Sequence, residues 1–87
     1  MNKSIKELRG LSQQAEPTVR IGKSGATPAV IEDIKKQLLQ RPFVKIKPMP
    51  SLTSSLEKDI FAKDLATRTG SVLVNRIGGV IVLARAR

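Results

Sequence analysis

Apolar residues recur every three or four positions in three segments of the chain, the spacing that places them on one face of a helix. The first segment opens with a capping box, Ser4–Glu7, and predicts a helix over residues 4–14. Its apolar positions are Ile5, Leu8, Leu11 and Ala15. The second opens with an N-cap and a proline, Thr27-Pro28, and predicts a helix through about residue 41. Its stripe consists of Val30, Ile31, Ile34 and Leu38.

The third helical segment begins at a second capping box, formed by Ser54 and Glu57, and closes at Thr69-Gly70. Its apolar stripe consists of Leu56, Ile60, Phe61 and Leu65. Phe61 falls on this stripe and Phe43 begins a strand, so we expect both phenylalanines to belong to the core.

Four short apolar runs separate and follow these helices and predict strands. They are Thr18–Ile21, Phe43–Lys47, Val72–Val74 and Val80–Leu83. The Gly78-Gly79 pair between the last two runs is a strong signal for a hairpin. The order is α-β-α-β-α-β-β, in which two helical crossovers should give parallel neighbours and the hairpin an antiparallel pair. We therefore predict one compact α/β domain over residues 1–87, with a mixed four-stranded sheet flanked by helices.

The net charge limits the kinds of partner that the protein is expected to bind. The chain has 16 Lys and Arg residues and seven Asp and Glu residues, which gives a net charge of +9. Between Ile34 and Leu56 there are five basic residues and no acid, and after Asp64 four arginines and no acid. So large an excess on a short chain favours a polyanionic partner, chiefly nucleic acid.

The chain lacks residue types that disulfides, metal sites and acid–base catalysis commonly use. The chain has no cysteine and no histidine, which excludes disulfides and thiolate metal sites and removes the commonest general base. Its seven acids fall on predicted helices or a turn, and the adjacent pair Glu32-Asp33 does not share a helix face. No secretory signal and no apolar run of about 20 residues is visible. We expect a soluble cytoplasmic protein that is not an enzyme, with no cofactor, metal or small-molecule substrate.

The stretch VRIGKSGATP, residues 19–28, resembles the end of a nucleotide-binding loop. A P-loop of the form GxxxxGK[ST] would need a glycine at position 17, which is Pro17, and an aspartate at a strand end for Mg²⁺. Neither is present, and the glycine spacing also fails the dinucleotide-binding pattern. What remains is GxxG, Gly22 to Gly25, between a strand and a helix.

A GxxG loop suits a phosphate ligand for three reasons. Its glycines allow a close approach of the backbone and a positive φ. The following helix adds free N–H groups and the positive end of its dipole. Lys23 adds a positive charge at the loop tip and Ser24 a hydrogen-bond donor. A plain strand-to-helix turn could have the same sequence. The phosphate-binding interpretation of the loop therefore depends on the basic charge of the rest of the chain.

The order of elements and the motifs together resemble the CRM domain, named for chloroplast RNA splicing and ribosome maturation. The motifs are Leu8-Arg9-Gly10-Leu11, Val19–Gly25, Leu38-Leu39, Val44–Lys47, Thr67–Gly70 and Ile77–Leu83. The resemblance implies a compact RNA-binding module whose GxxG loop contacts RNA. It also implies kinship with free-standing prokaryotic members that are linked to ribosomal RNA and large-subunit maturation. The chain departs from the family at Ala84, where members often carry an aromatic residue.

Our hypothesis is that the chain clamps an RNA backbone, because two phenylalanines and no Tyr or Trp supply few surfaces for base stacking. Gly22 and Gly25 would provide the close approach, Lys23 a phosphate contact and Ser24 a polar contact. The basic residues that would extend the site are Arg20, Lys35 and Lys36. Lys45 and Lys47 share one face of their strand, and the sequence leaves open whether that face meets RNA or a helix.

Two other classes remain open at this point. A small architectural DNA-binding protein would carry the same charge, and RNA and duplex DNA compared at equal salt would separate the two. A protein-interaction module within a ribosome-assembly complex is the other, and it would show no direct affinity for RNA.

Overall fold

The structure, a computed structural model, describes residues 4–22, 25–48, 55–77 and 79–85. The predicted order α-β-α-β-α-β-β and the mixed four-stranded sheet are both confirmed. The helices are α1 (Ile5–Gln14), α2 (Pro28–Gln40) and α3 (Ser55–Thr69). The strands are β1 (Val19–Arg20), β2 (Phe43–Lys47), β3 (Ser71–Ile77) and β4 (Val80–Arg85).

Local signals in the sequence set the helix ends. Ser4 Oγ accepts a hydrogen bond from the Glu7 N–H, and the Ser4 N–H donates to Glu7 Oε1, both at 3.1 Å, so the first capping box is confirmed. Thr27 Oγ1 caps α2 by accepting from the Val30 N–H at 3.3 Å. Gly70, at φ +64°, ends α3 in the left-handed conformation. The second predicted capping box includes Ser54, which lies outside the described residues.

The strand order across the sheet is β1-β2-β4-β3. β1 pairs parallel to β2, as the first crossover predicts, and β3 pairs antiparallel to β4 as a hairpin. The second crossover is different from our prediction, since β4 lies between β2 and β3 and pairs antiparallel to both. β4 is the strand suited to that central place, because its residues Ile81–Ala84 are buried on both faces of the sheet.

Helices cover both faces of this sheet. On one face, α2 and α3 pack against the larger core cluster, which includes Ile34, Leu65, Ile46 and Leu83. On the other face α1 packs through Leu8 onto a smaller cluster that contains Val74, Val82 and Ala84, with Phe43 at its margin. Phe61 packs against the larger cluster, so the prediction that both phenylalanines belong to the core is confirmed.

The apolar stripes predicted for α1 and α3 are partly wrong. In α1, Ile5 and Leu11 are each 46% exposed, because this helix contacts the sheet along a narrow line through Leu8 and Ser12. In α3, Leu56 is 69% and Ile60 59% exposed. The buried face of α3 is formed instead by Ala62, Leu65 and Ala66, whose small alanine side chains let the helix lie close to its neighbours. The stripe of α2 is confirmed, with Val30 only partly buried.

Candidate nucleic-acid interface

The GxxG loop and a pair of basic residues lie at one end of the sheet. β1 and β2 run parallel with Arg20 opposite Lys47, and β3 ends at the same side, where Ile77 pairs with Val80. The loop Gly22–Gly25 follows β1 directly. We call this edge, comprising Arg20, Lys47, Val80 and the loop, the loop end of the sheet.

The residues directly before the loop are held in place by burial and by strand pairing. The Ile21 N–H donates to the Lys47 carbonyl at 3.0 Å, which continues the pairing of β1 with β2 up to the loop. Val19 and Ile21 are buried in the larger core cluster. Because side chains alternate along a strand, Arg20 points to the opposite face of the sheet, where it is exposed. Arg20 is therefore held beside the loop by a strand that is anchored on both sides of it.

Backbone hydrogen bonds join the described ends of the loop. The Gly25 N–H donates to the Gly22 carbonyl at 3.0 Å, and the Thr27 N–H donates to the Gly25 carbonyl at 3.0 Å. Gly25 has φ +71°, a conformation that favours glycine. Gly22 is exposed, and a Cβ added there would meet no atom within 4 Å, so a ligand has room to approach its backbone. Lys23 and Ser24, the remaining predicted contacts of the loop, lie outside the described residues.

The N-terminus of α2 offers fewer hydrogen-bond donors than its position after the loop suggests. Pro28 occupies the first helical position and has no N–H group. The Val30 N–H is bonded to the Thr27 side chain. Two of the first three positions therefore have no N–H group available for a ligand, and side-chain charge has to supply more of any phosphate binding at this end.

The structure separates the two lysines that were predicted to extend the site along α2. Lys36 lies on the exposed side of the helix, nine residues from Thr27 and so roughly 14 Å along the axis. Lys35 forms an ion pair with Glu32 at 3.6 Å and lines a depression with Thr69, Gly70 and Arg85, near the opposite end of the sheet. Of the flanking basic residues in the hypothesis, Arg20 alone lies beside the loop.

Lys47 is the residue that the sequence left unassigned and that the structure places at the loop end. It is exposed and lies on the same face as Arg20, its partner in the register. The alternation of Val44, Lys45, Ile46 and Lys47 showed that the two lysines share a face. The pairing of β1 with β2, which the crossover predicted, could have placed Lys47 beside Arg20.

Lys45, two residues earlier on the same face, meets a helix. Its Nζ donates to the carbonyl oxygens of Ser12 and Ala15, both at 2.8 Å, at the C-terminal end of α1. A cation in this place adds hydrogen bonds to carbonyl groups at the end of the helix, of which the Ser12 carbonyl also accepts from the Ala15 N–H, and it complements the negative end of the helix dipole. The open question about this face therefore has two answers, since Lys45 supports α1 and Lys47 lies beyond it.

Acidic residues are absent from all four strands, which contain Arg20, Lys45, Lys47, Arg76 and Arg85. Three ion pairs in the described part of the chain use carboxylates on α2 and α3, namely Glu32, Asp59 and Asp64. These helices cover the opposite face of the sheet from Arg20 and Lys47. The face that carries this basic pair therefore presents positive charge without neighbouring carboxylates from the strands.

Two other kinds of site are not found in the described ranges, residues 4–22, 25–48, 55–77 and 79–85. Within them, no group of three or more Asp, Glu, His or Cys residues could hold a metal ion. No helix among them has the length and apolar character needed to cross a membrane.

Known proteins share both the sequence pattern and the fold of this chain. The family model of the CRS1/YhbY (CRM) domain matches residues 1–85. A protein of Methanocaldococcus jannaschii, named as a probable RNA-binding protein, is 32% identical over 80 residues, which make up 92% of this chain. The chain spans 59% of the length of that relative. The solution structure of a hypothetical protein of Staphylococcus aureus, described as a candidate RNA-binding protein, is also similar to this chain. The two structures superpose with a TM-score of 0.81, and the two sequences are 29% identical. That match covers 100% of this chain and 91% of the other.

Proposed function

Because the chain belongs to the CRS1/YhbY (CRM) domain family, we propose that it binds RNA and holds the RNA backbone at the loop end of the sheet. Two relatives are named for RNA binding, one as probable and one as a candidate. A net charge of +9 supports a polyanionic partner. The proposal is one of binding and not of catalysis, since histidine and cysteine are absent from the chain.

The observation that carries the proposal is the placement of Arg20 and Lys47 beside the GxxG loop. Both are exposed on one face, opposite each other in the register of β1 and β2. Adjacent strands lie about 4.8 Å apart, so the two charges stand close enough to contact neighbouring phosphates of one strand. The exposed Gly22 lies two residues beyond Arg20 and gives the backbone of the ligand room to approach.

In this clamp, charge supplies most of the affinity and base identity little of it. Arg20 and Lys47 would contact phosphates, and we assign Lys23 a further phosphate and Ser24 a polar contact. Lys36 would contact RNA that continues along the exposed side of α2, while Lys35 lies too near the opposite end to join the same contact. Phosphate contacts fix position on a nucleic acid but carry no sequence information.

The RNA that we propose as the natural partner is ribosomal RNA or a precursor of the large ribosomal subunit, with the protein in the cytoplasm. This part of the proposal rests on the family. Crosslinking in cells followed by sequencing of the attached RNA tests it directly. Enrichment of large-subunit RNA is the expected result, and enrichment of messenger or transfer RNA alone would contradict it.

A charge reversal tests the clamp. We expect Lys23→Glu to weaken binding of a single-stranded RNA about 10- to 100-fold, since a hydrogen bond to a charged group contributes about 1.5–3 kcal/mol. Lys63→Glu is the matched control, because it makes the same change in net charge at an exposed position of α3. Fluorescence anisotropy at one salt concentration measures both variants.

The control should bind nearly as well as the unsubstituted chain, and duplex DNA of the same length should bind more weakly than the RNA. If Lys23→Glu folds normally and binds RNA like Lys63→Glu, the loop is not part of the interface. If duplex DNA binds as tightly as RNA, the chain is a general polyanion binder, and the proposed RNA function is wrong.

A further inference from the structure

A groove lies beside the loop end, between the last turn of α1 and the face of the sheet that carries Arg20 and Lys47. Its volume is about 210 Å³. The residues that line it are Ser12, Gln13, Lys45, Asn75, Val80 and Val82. Drug-sized ligands occupy pockets of roughly 300–1,000 Å³, so this groove suits a smaller, single-ring group.

The groove combines an apolar floor with polar sides. Val82 is buried and Val80 half-buried, and both belong to β4 at the centre of the sheet. Gln13 on α1 and Asn75 on β3 contribute side-chain amides, each of which can donate and accept hydrogen bonds. Lys45 is committed to the Ser12 and Ala15 carbonyls, so it closes the wall at α1.

The strand register connects the groove to the basic pair. Arg20 is opposite Lys47, and the antiparallel pairing of β2 with β4 runs to Ile46 opposite Ile81. Continuing that register by one residue sets Lys47 opposite Val80. Arg20, Lys47 and Val80 thus form a row across three adjacent strands, which spans about 10 Å.

We propose that this groove receives one unstacked base of a single-stranded RNA whose phosphates lie on Arg20 and Lys47. The inference rests on the proposed function and deepens it, since it adds a base-binding subsite to a clamp that reads only the backbone. The valine floor would contact the face of the base, and the amides of Gln13 and Asn75 would bond its edge. Recognition of unstacked bases by hydrogen bonds to their edges is how proteins read single-stranded RNA.

An RNA strand without bases separates the subsite from the clamp. The probes are an eight-residue oligouridine and a strand of the same length in which every base is removed. We expect the chain to bind oligouridine about tenfold more tightly than the abasic strand, because each hydrogen bond made to the base contributes about 0.5–1.5 kcal/mol net. In Gln13→Ala combined with Asn75→Ala, that ratio should fall to about two, with the affinity for the abasic strand unchanged.

Gln14→Ala is the matched control, because Gln14 is an exposed glutamine on the same helix and lines a different depression with Glu7, Gly10 and Leu11. It should leave the tenfold ratio unchanged. Gln13 is exposed, so Gln13→Ala alone should preserve the fold. This single variant should also lower the ratio, which keeps the test valid if Asn75→Ala unfolds the protein.

Three outcomes are distinguishable. A ratio near one in the unsubstituted chain overturns the subsite while leaving the clamp intact, and so does a ratio that the Gln13 and Asn75 variants do not change. Absence of binding to both strands overturns the proposed function itself.

Discussion

Single residues of one strand have different tasks in this protein, as Lys45 and Lys47 show. Lys45 bonds two carbonyl oxygens at the end of α1, whereas Lys47 is exposed beside Arg20. We expect Lys45→Met to lower the free energy of unfolding by about 1–3 kcal/mol, since it removes two charge-assisted hydrogen bonds from the end of α1. Urea denaturation measures this change.

Lys47→Met is the matched variant on the same face of the same strand. Its free energy of unfolding should change by less than about 0.5 kcal/mol, as is usual for surface substitutions. Its affinity for single-stranded RNA should fall, and the salt dependence should become shallower by about 0.7 in slope, because the variant neutralises one phosphate fewer. Equal effects of the two substitutions on stability would contradict the separate roles.

The sequence could predict the parts of the fold that depend on local chemistry. The Ser4–Glu7 capping box, the Thr27 cap and the left-handed Gly70 each involve neighbours only a few residues apart, and all three were predicted. The contact of Lys45 with α1 could not be predicted, because its partners lie about 30 residues away and depend on how the helix crosses the sheet.

Two glycines, one inside a helix and one directly after a helix, should respond oppositely to the same substitution. Gly10 lies inside α1 with no atom within 4 Å of an added Cβ, and Gly70 ends α3 at φ +64°. Gly10→Ala should stabilise the protein by about 0.5–1 kcal/mol, because alanine loses less backbone entropy in a helix. Gly70→Ala should destabilise it by about 1–2 kcal/mol, because an L-residue is strained in the left-handed conformation.

Thermal or urea unfolding of the two variants checks this pair. Because neither position has a neighbour that an added methyl group would meet, packing does not obscure the backbone effect. A shift of both variants in the same direction would show that the assigned conformation of Gly10 or Gly70 is wrong.

Which face an element buries was harder to predict from the sequence than the element itself. The thirteen-residue α2 buries the stripe that its pattern predicts, since it packs against β2 and β4, the two central strands of the sheet. In α3 the two alanines beside Leu65 are buried while Leu56 and Ile60 are exposed. The choice between these faces depends on how closely α3 can approach α2 and the sheet, which spacing alone does not encode.

The grouping of the loop, the basic pair and Val80 at one edge depends on the arrangement of the whole sheet. The parallel pairing of β1 with β2 brings the GxxG loop, Arg20 and Lys47 to one edge, and the insertion of β4 beside β2 sets Val80 in the same row. The first of these follows from the crossover rule, and the second does not, because a hairpin can add to a sheet by either of its strands. The basic character of the proposed interface was therefore predictable from the sequence, and the position of the groove beside it was not.

The salt dependence of RNA binding tests the central claim most directly, because a clamp on the RNA backbone works by releasing counterions from phosphates. With ~5 phosphate contacts on a single strand, the logarithm of the affinity plotted against the logarithm of salt concentration should have a slope of roughly −3 to −4. Fluorescence anisotropy with a single-stranded RNA across a range of salt concentrations gives this slope. A slope near zero, or no measurable affinity for RNA at low salt, would contradict the account.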